Sequence, residues 1–268
     1  LDIFSELDDI DGVAKTLTSM STFYLQKNEF QSSLKYANDA YSNNRKINSV
    51  EGMGHNLHVI GSIYRSLGDM DKAIDSLLQS IKIREQNNLN SSLKHSLLAM
   101  GHVLHEMGSY HDALNYYNDS LKIFESLGER EDGPSLIYKC IANTYFMIGD
   151  YLKSKQFLEK SIALQKQKKY KHIELESMAL LCLLNNKLKT TFSIKKINDI
   201  IKRNANTDIM VEVNFQLYLC LNDMSYLKNA FKQVQEKIDN LQPALAAKFL
   251  AYPTPKAIVE EYNKVFKL

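Results

Sequence analysis

Turn-forming residues are scarce in this chain of 268 residues, which holds 10 glycines and 4 prolines. No proline falls between residues 135 and 242. A β fold needs frequent turns, so this scarcity favours helices. No run of about 18 apolar residues occurs, which excludes a helix that crosses a membrane. Cysteine is limited to Cys140, Cys182 and Cys220, spaced 42 and 38 residues apart with no CxxC pair. An odd count inside apolar stretches reads as small buried hydrophobes in a reducing, cytoplasmic compartment. Catalytic signatures are missing as well: no GxSxG, no glycine-rich phosphate loop, no HExxH and no paired-cysteine zinc pattern. The expectation is a chain without enzymatic activity, cofactor or metal. No secretory signal precedes the acidic opening "LDIFSELDDID", and without an initiator methionine the sequence reads as part of a longer protein.

What is present is ordinary globular composition, 44% hydrophobic and 24% charged. The net charge of +2 conceals an asymmetry. Residues 1–149 hold 13 Lys/Arg against 19 Asp/Glu, residues 150–205 hold 13 against 5, and residues 206–268 hold 7 of each. The basic block 150–205 suggests nucleic acid or an acidic protein as a partner; a solvated helix face accounts for it equally well. The lysines of "KQKKYKH" (166–172) close a helix, where cations complement the dipole.

The strongest signal is self-similarity. The segments "YLQKNEFQSSLKYA" (24–37), "YRSLGDMDKAIDSL" (64–77), "LHEMGSYHDALNYY" (104–117) and "YFMIGDYLKSKQFL" (145–158) align without gaps. Their turn residues Asn28, Gly68, Gly108 and Gly149 lie 40, 40 and 41 apart. Each copy reads as two amphipathic helices around a tight turn, with apolar residues at i, i+3, i+4 and i+7. Small residues sit where the two helices cross: Gly61, Gly101 and Ala142 in the first, Ala73, Ala113 and Ser154 in the second. A larger side chain there would force the helices apart.

These segments resemble the tetratricopeptide repeat. Its small positions correspond to Gly61/Ala73 and Gly101/Ala113, and its large aromatic position to Tyr24, Tyr64 and Tyr145. The common repeat has about 34 residues. The longer period here, with its link "ESLGEREDG" (125–133), is similar to the variant of bacterial sensory and peptide-receptor proteins and of some animal scaffold proteins. The opening "DIFSELDDIDG" (2–12) matches "KIFESLGEREDG" (122–133), so residues 1–9 read as the tail of a preceding repeat. Regular repeats are expected over 1–170 and degenerate helical repeats over 171–240. The degenerate part comprises first helices at 172–189 and 209–223 and partners at 193–204 and 225–240. Capping helices are expected over 241–268, the last starting with Thr254 as N-cap and Pro255 in the first turn. The resemblance thus implies an all-α, right-handed superhelical solenoid of about six helix pairs with a C-terminal capping helix. The close of the chain also resembles large bacterial signalling proteins, in which such repeats follow a kinase, ATPase or nucleotide-cyclase domain.

In this family the first helix of each pair lines the concave surface. Carried over by position, the groove residues are Lys15, Thr18, Thr22 and Leu25 in the first copy. His55, His58, Ser62 and Arg65 follow in the second, His95, Leu98, His102 and His105 in the third, and Leu136, Lys139, Asn143 and Phe146 in the fourth. Five of the seven histidines fall on this surface; His111 and His172 do not. The imidazoles suit a polar recognition groove. Simple tolerance of an exposed face is a second reading. A metal held by His58, His102 and His105, with Glu106 as a loose fourth ligand, is a third. Asn143 matches the position where the family places an asparagine that bonds a bound peptide's backbone, and Lys139 one turn earlier suits a carboxylate. The corresponding residues elsewhere are Thr22, Ser62 and His102, so the clamp for chaperone C-terminal tails is not reproduced.

The expectation is a non-catalytic binding scaffold, the regulatory part of a bacterial signalling protein. Its groove would hold a protein or peptide segment through His55, His58, Ser62, Arg65, His95, His102, His105, Lys139, Asn143 and Phe146. Self-association of the repeats is the first alternative, and nucleic-acid or acidic-partner binding through 150–205 the second.

Overall fold

A computed structural model describes residues 9–27, 29–128, 132–168, 171–203 and 209–266, with backbone alone for residues 132, 166–168 and 171–174. Residues 1–8, read above as part of a repeat tail, Asn28 and the side chain of His172 lie outside the described residues. Among those described, 14 helices and no strand occur. They run α1 (Ile10–Gln26), α2 (Phe30–Lys46), α3 (Val50–Ser66), α4 (Met70–Gln86), α5 (Asn90–Met107), α6 (Tyr110–Ser126) and α7 (Asp132–Ile148). The rest are α8 (Tyr151–Lys168), α9 (Lys171–Lys187), α10 (Ile194–Arg203), α11 (Val211–Leu221), α12 (Met224–Asp239), α13 (Pro243–Ala251) and α14 (Pro253–Phe266). The described part of the chain is all-α.

Local chemistry sets the boundaries. Asp9, Ser49, Asp69, Asp150 and Asp223 each accept a hydrogen bond from a backbone N–H in the first turn that follows, at 2.9–3.3 Å. Such caps satisfy donors that the helix itself leaves open. Gly68, Gly108 and Gly149 take φ of 73°, 87° and 92°, which ends the first helix of a pair at little steric cost. At the C-terminus the last helix begins at Pro253, not after a Thr254 cap. Tyr252 is extended at φ −68°, ψ 149°, the conformation imposed on a residue before proline, and Pro253 itself opens the helix.

The chain forms two compact units: Leu1–Val103 with Asn118–Ile123, and Leu104–Tyr117 with Phe124–Leu268. In the first unit α1 pairs with α2 and α3 with α4, and α3 also packs on α1 and α2. Ala37, Val59, Ile60 and Ile63 form its buried centre, with Leu25, Phe30, Tyr41 and Tyr64 around them. The crossing of α3 and α4 depends on Gly61, where an added Cβ would stand 2.7 Å from Leu77 Cγ.

In the second unit α7 pairs with α8, and α9 packs on α7, α8, α10 and α11. That central place explains its near-continuous apolar run. Leu180 and Leu184 join Ala142 and Leu158 on one side, while Leu175, Met178 and Cys182 meet Ile197, Ile200, Val213 and Leu217 on the other. Ala230, Val234, Phe249 and Ile258 close the core toward the C-terminus. Cys182 and Cys220 do not stay separate hydrophobes, contrary to the reading of three unpaired thiols. They lie at matching places on α9 and α11 with Cα atoms 6.1 Å apart, and their sulfurs are bonded. Cys140 is buried and takes no part in the disulfide. Lys187, Lys189, Lys195, Lys196 and Lys202 of the basic block are exposed.

Candidate functional site

In the first unit, hydrogen bonds tie successive first helices together. Asn56 Nδ2 (α3) donates to Thr18 Oγ1 (α1) at 2.9 Å, and Asn56 Oδ1 accepts from Asn44 Nδ2 (α2) at 2.7 Å. One repeat later the same three places hold Arg84, Ser96 and His58. Arg84 reaches in from α4 and is 2% exposed. Its Nη1 donates to Ser92 O at 2.8 Å and to Ser96 Oγ at 2.5 Å, while Ser96 Oγ lies 3.4 Å from His58 Nδ1.

Near this buried guanidinium lie His55, His58 and His95, and the other predicted groove residues of the unit lie further along the same helices. His55, His58, Ser62 and Arg65 follow one another along α3, and His95 and His102 lie on α5. His55 and His95 are exposed, and the others are half-buried. Ser62 Oγ donates to His58 O at 3.0 Å, so its hydroxyl is engaged within the helix. Burial pushes the His58 imidazole down to about 3, and the positive fields of Arg84, His55 and His95 act in the same direction. His55 is lowered by burial and then by Arg84, against the opposing field of Glu51. Burial holds Arg84 itself down to about 10, again opposed by Glu51.

The second unit holds His105, Lys139, Asn143 and Phe146. Lys139 is paired with Glu176 of α9. Asn143 Nδ2 donates to Glu212 Oε1 of α11 at 2.6 Å and lies 3.3 Å from His105 Nε2, while Gln216 Nε2 lies 3.5 Å from its Oδ1. Thr144 Oγ1 donates to Cys140 O at 2.8 Å and lies 2.9 Å from His105 Nδ1. The threonine proton is therefore spent, so His105 carries its proton on Nδ1 and accepts from Asn143 at Nε2. The Tyr110 ring lies tilted beside His105 at 5.4 Å, and its hydroxyl is raised by burial and by Glu212. Phe146 packs on Tyr151 and on the Ala142–Leu158 cluster. His111 is exposed in the first turn of α6.

Sequence reasoning missed Arg84, Thr144, Glu176, Glu212 and Gln216. For Arg84 a signal was present, since it continues the Leu77, Ser80, Ile81 stripe of α4. Among the described residues, no three His, Cys, Asp or Glu side chains are placed to hold a metal ion.

The model of the tetratricopeptide repeat family matches residues 52–126 and again 93–167. Residues 52–167 carry tetratricopeptide repeats. No curated protein matches it by sequence. Among solved structures, the chain is similar to the apo form of RapI at TM-score 0.66 and 16% identity, over 98% of this chain and 89% of that one. It is similar to the Rap conjugation gene regulator of plasmid pLS20, determined with the Phr* peptide, at 0.65 and 12%, over 93% and 74%. Aspartyl phosphate phosphatase F from Bacillus subtilis aligns at 0.64 and 14%, over 97% and 61%. At these identities the likeness shows the fold alone, an all-α solenoid of tetratricopeptide type.

Proposed function

We propose that this protein is a non-catalytic recognition module whose first-helix faces hold a peptide or protein segment, within a bacterial signalling system. The observation that carries this reading is the row of accessible polar groups on α3 and α5. His55, Arg65, His95 and His102 stand on helices whose opposite sides are fixed in the core. A rigid backbone with adaptable polar side chains binds a ligand without first having to order itself. The similar fold of a Rap regulator in complex with a peptide supports the same reading. In the second unit, two groups suited to a peptide already hold carboxylates of the chain, Lys139 with Glu176 and Asn143 with Glu212. A peptide there competes with its own scaffold.

The test is selection of peptides from a displayed random library on the full chain. Selected peptides should lose about tenfold in affinity, ~1.4 kcal/mol, on Arg65→Ala or His102→Ala. Leu78→Ala, at an exposed position of α4, should leave affinity unchanged. Selection of no peptide, or of peptides sensitive to Leu78 and indifferent to α3 and α5, would refute the reading.

A further inference from the structure

The four repeat junctions place Asn44, Arg84, Phe124 and Gln165 at one equivalent position near the end of each second helix. All four are buried. Asn44 bonds Asn56 at 2.7 Å, and Gln165 bonds Ser177 at 3.2 Å, while Phe124 fills its place with a ring. The junction is therefore built equally well from a neutral amide or an apolar side chain, and nothing in its packing requires a cation. A buried guanidinium is costly unless its charge is met. Yet among the described residues no carboxylate forms an ion pair with Arg84, its Nε–H is buried without a partner, and Nη2 has none either. Glu51, exposed at the start of α3, contributes its field alone.

Both hydrogen bonds of the Arg84 guanidinium use Nη1. The unused edge, Nε–H with Nη2–H, is the side of a guanidinium that grips a carboxylate with two parallel bonds. Gly54 borders it, with the place of a missing Cβ 3.3 Å from Nε. The corresponding residues of the neighbouring copies, Ala14 and Lys94, both carry side chains. His58 lies near the guanidinium, its ring in one long contact of 3.4 Å with Ser96 Oγ. His55 and His95 stand nearby and are exposed.

We propose that Arg84, with His58, His55 and His95 at its mouth, is a carboxylate-binding site, for the C-terminal or an acidic side-chain carboxylate of a peptide. The proposal rests on the peptide-binding reading and names the part of the ligand that the first unit recognises. The carboxylate meets the Nε–Nη2 edge, and an imidazole that takes up a proton beside it adds a second charge-assisted bond.

The test uses the full chain with 15N-labelled histidine, titrated with three probes: N-acetyl-trialanine as the free acid, its C-terminal amide, and inorganic phosphate. The free acid should shift the ring signals of His55, His58 and His95 saturably, and the amide should not. Arg84→Gln should weaken the free acid at least about tenfold. Should that variant not fold, His95→Gln, at an exposed position, decides by weakening the acid several-fold. Absence of saturable shifts in the wild-type protein, an equal response to acid and amide, a response to phosphate alone, or indifference of both variants would each overturn the site. Library peptides that bind regardless of Arg84 would leave the peptide reading standing without the carboxylate site. Acid binding with no selected peptide would leave the site standing without that reading.

Discussion

The His58 imidazole makes the first unit sensitive to acid in a way that can be calculated. Its folded value is about 3 against an ordinary 6.5, so between these limits the unfolded chain holds a proton that the folded one refuses. Stability on this account is full above pH 6.5 and declines as pH falls toward 3. From pH 7.5 to 5.0 the group crosses about 1.5 units of that window, which at about 1.4 kcal/mol per unit amounts to about 2 kcal/mol. His55 is lowered too and adds to the loss, while Glu51 opposes it; Arg84 stays charged throughout. His58→Gln keeps the volume and a hydrogen-bonding end but cannot titrate. The assay is urea unfolding at pH 7.5, 6.0 and 5.0 in buffer free of phosphate and carboxylates, followed by amide exchange of α3 and α4. Wild-type protein should lose about 2 kcal/mol more than His58→Gln over this range. Equal losses in the two proteins would refute the reasoning, as would a His58 ring that titrates near 6.5.

Gly61→Val forces a side chain against the fully buried Leu77 and should cost about 1–3 kcal/mol in thermal unfolding; an unchanged midpoint would mean that α3 and α4 separate freely. The bond between Cys182 and Cys220 closes a loop of 38 residues, so reduction should destabilise the second unit by about 4 kcal/mol. Urea midpoints that coincide with and without dithiothreitol would contradict the pairing. Glu176→Gln leaves the Lys139 ammonium half-buried without its counter-charge and should cost about 1–2 kcal/mol, between the ranges for exposed and for buried pairs. A fully solvated pair would instead make the substitution neutral in the same unfolding assay.

The repeat architecture was legible because it is written locally. Small residues at helix crossings, glycines at turns and apolar stripes recur every forty residues, and each follows from a steric or burial requirement inside one helix pair. The polar interior was less legible. Arg84 stood in a readable register on the apolar stripe of α4, but attention to first helices passed it over. Glu176 and Glu212 had no such register. They reach Lys139 and Asn143 across 37 and 69 residues, from a part of the chain where turn glycines no longer mark the period. Phe146 looked like a free aromatic anchor, yet a ring beside Tyr151 gains more from burial than from exposure. The spacing of Cys182 and Cys220, nearly one period on successive first helices, pointed to their juxtaposition; the compartment argument drew the reading away from it.

The central claim, that the first-helix faces are the recognition surface, is tested most directly by hydrogen exchange of the full chain with and without a library-selected peptide. Protection should appear on α3 and α5 and, more weakly, on α7, while α4 and α8 exchange as before. Protection confined to α4 and α8, or none at saturating peptide, would contradict it.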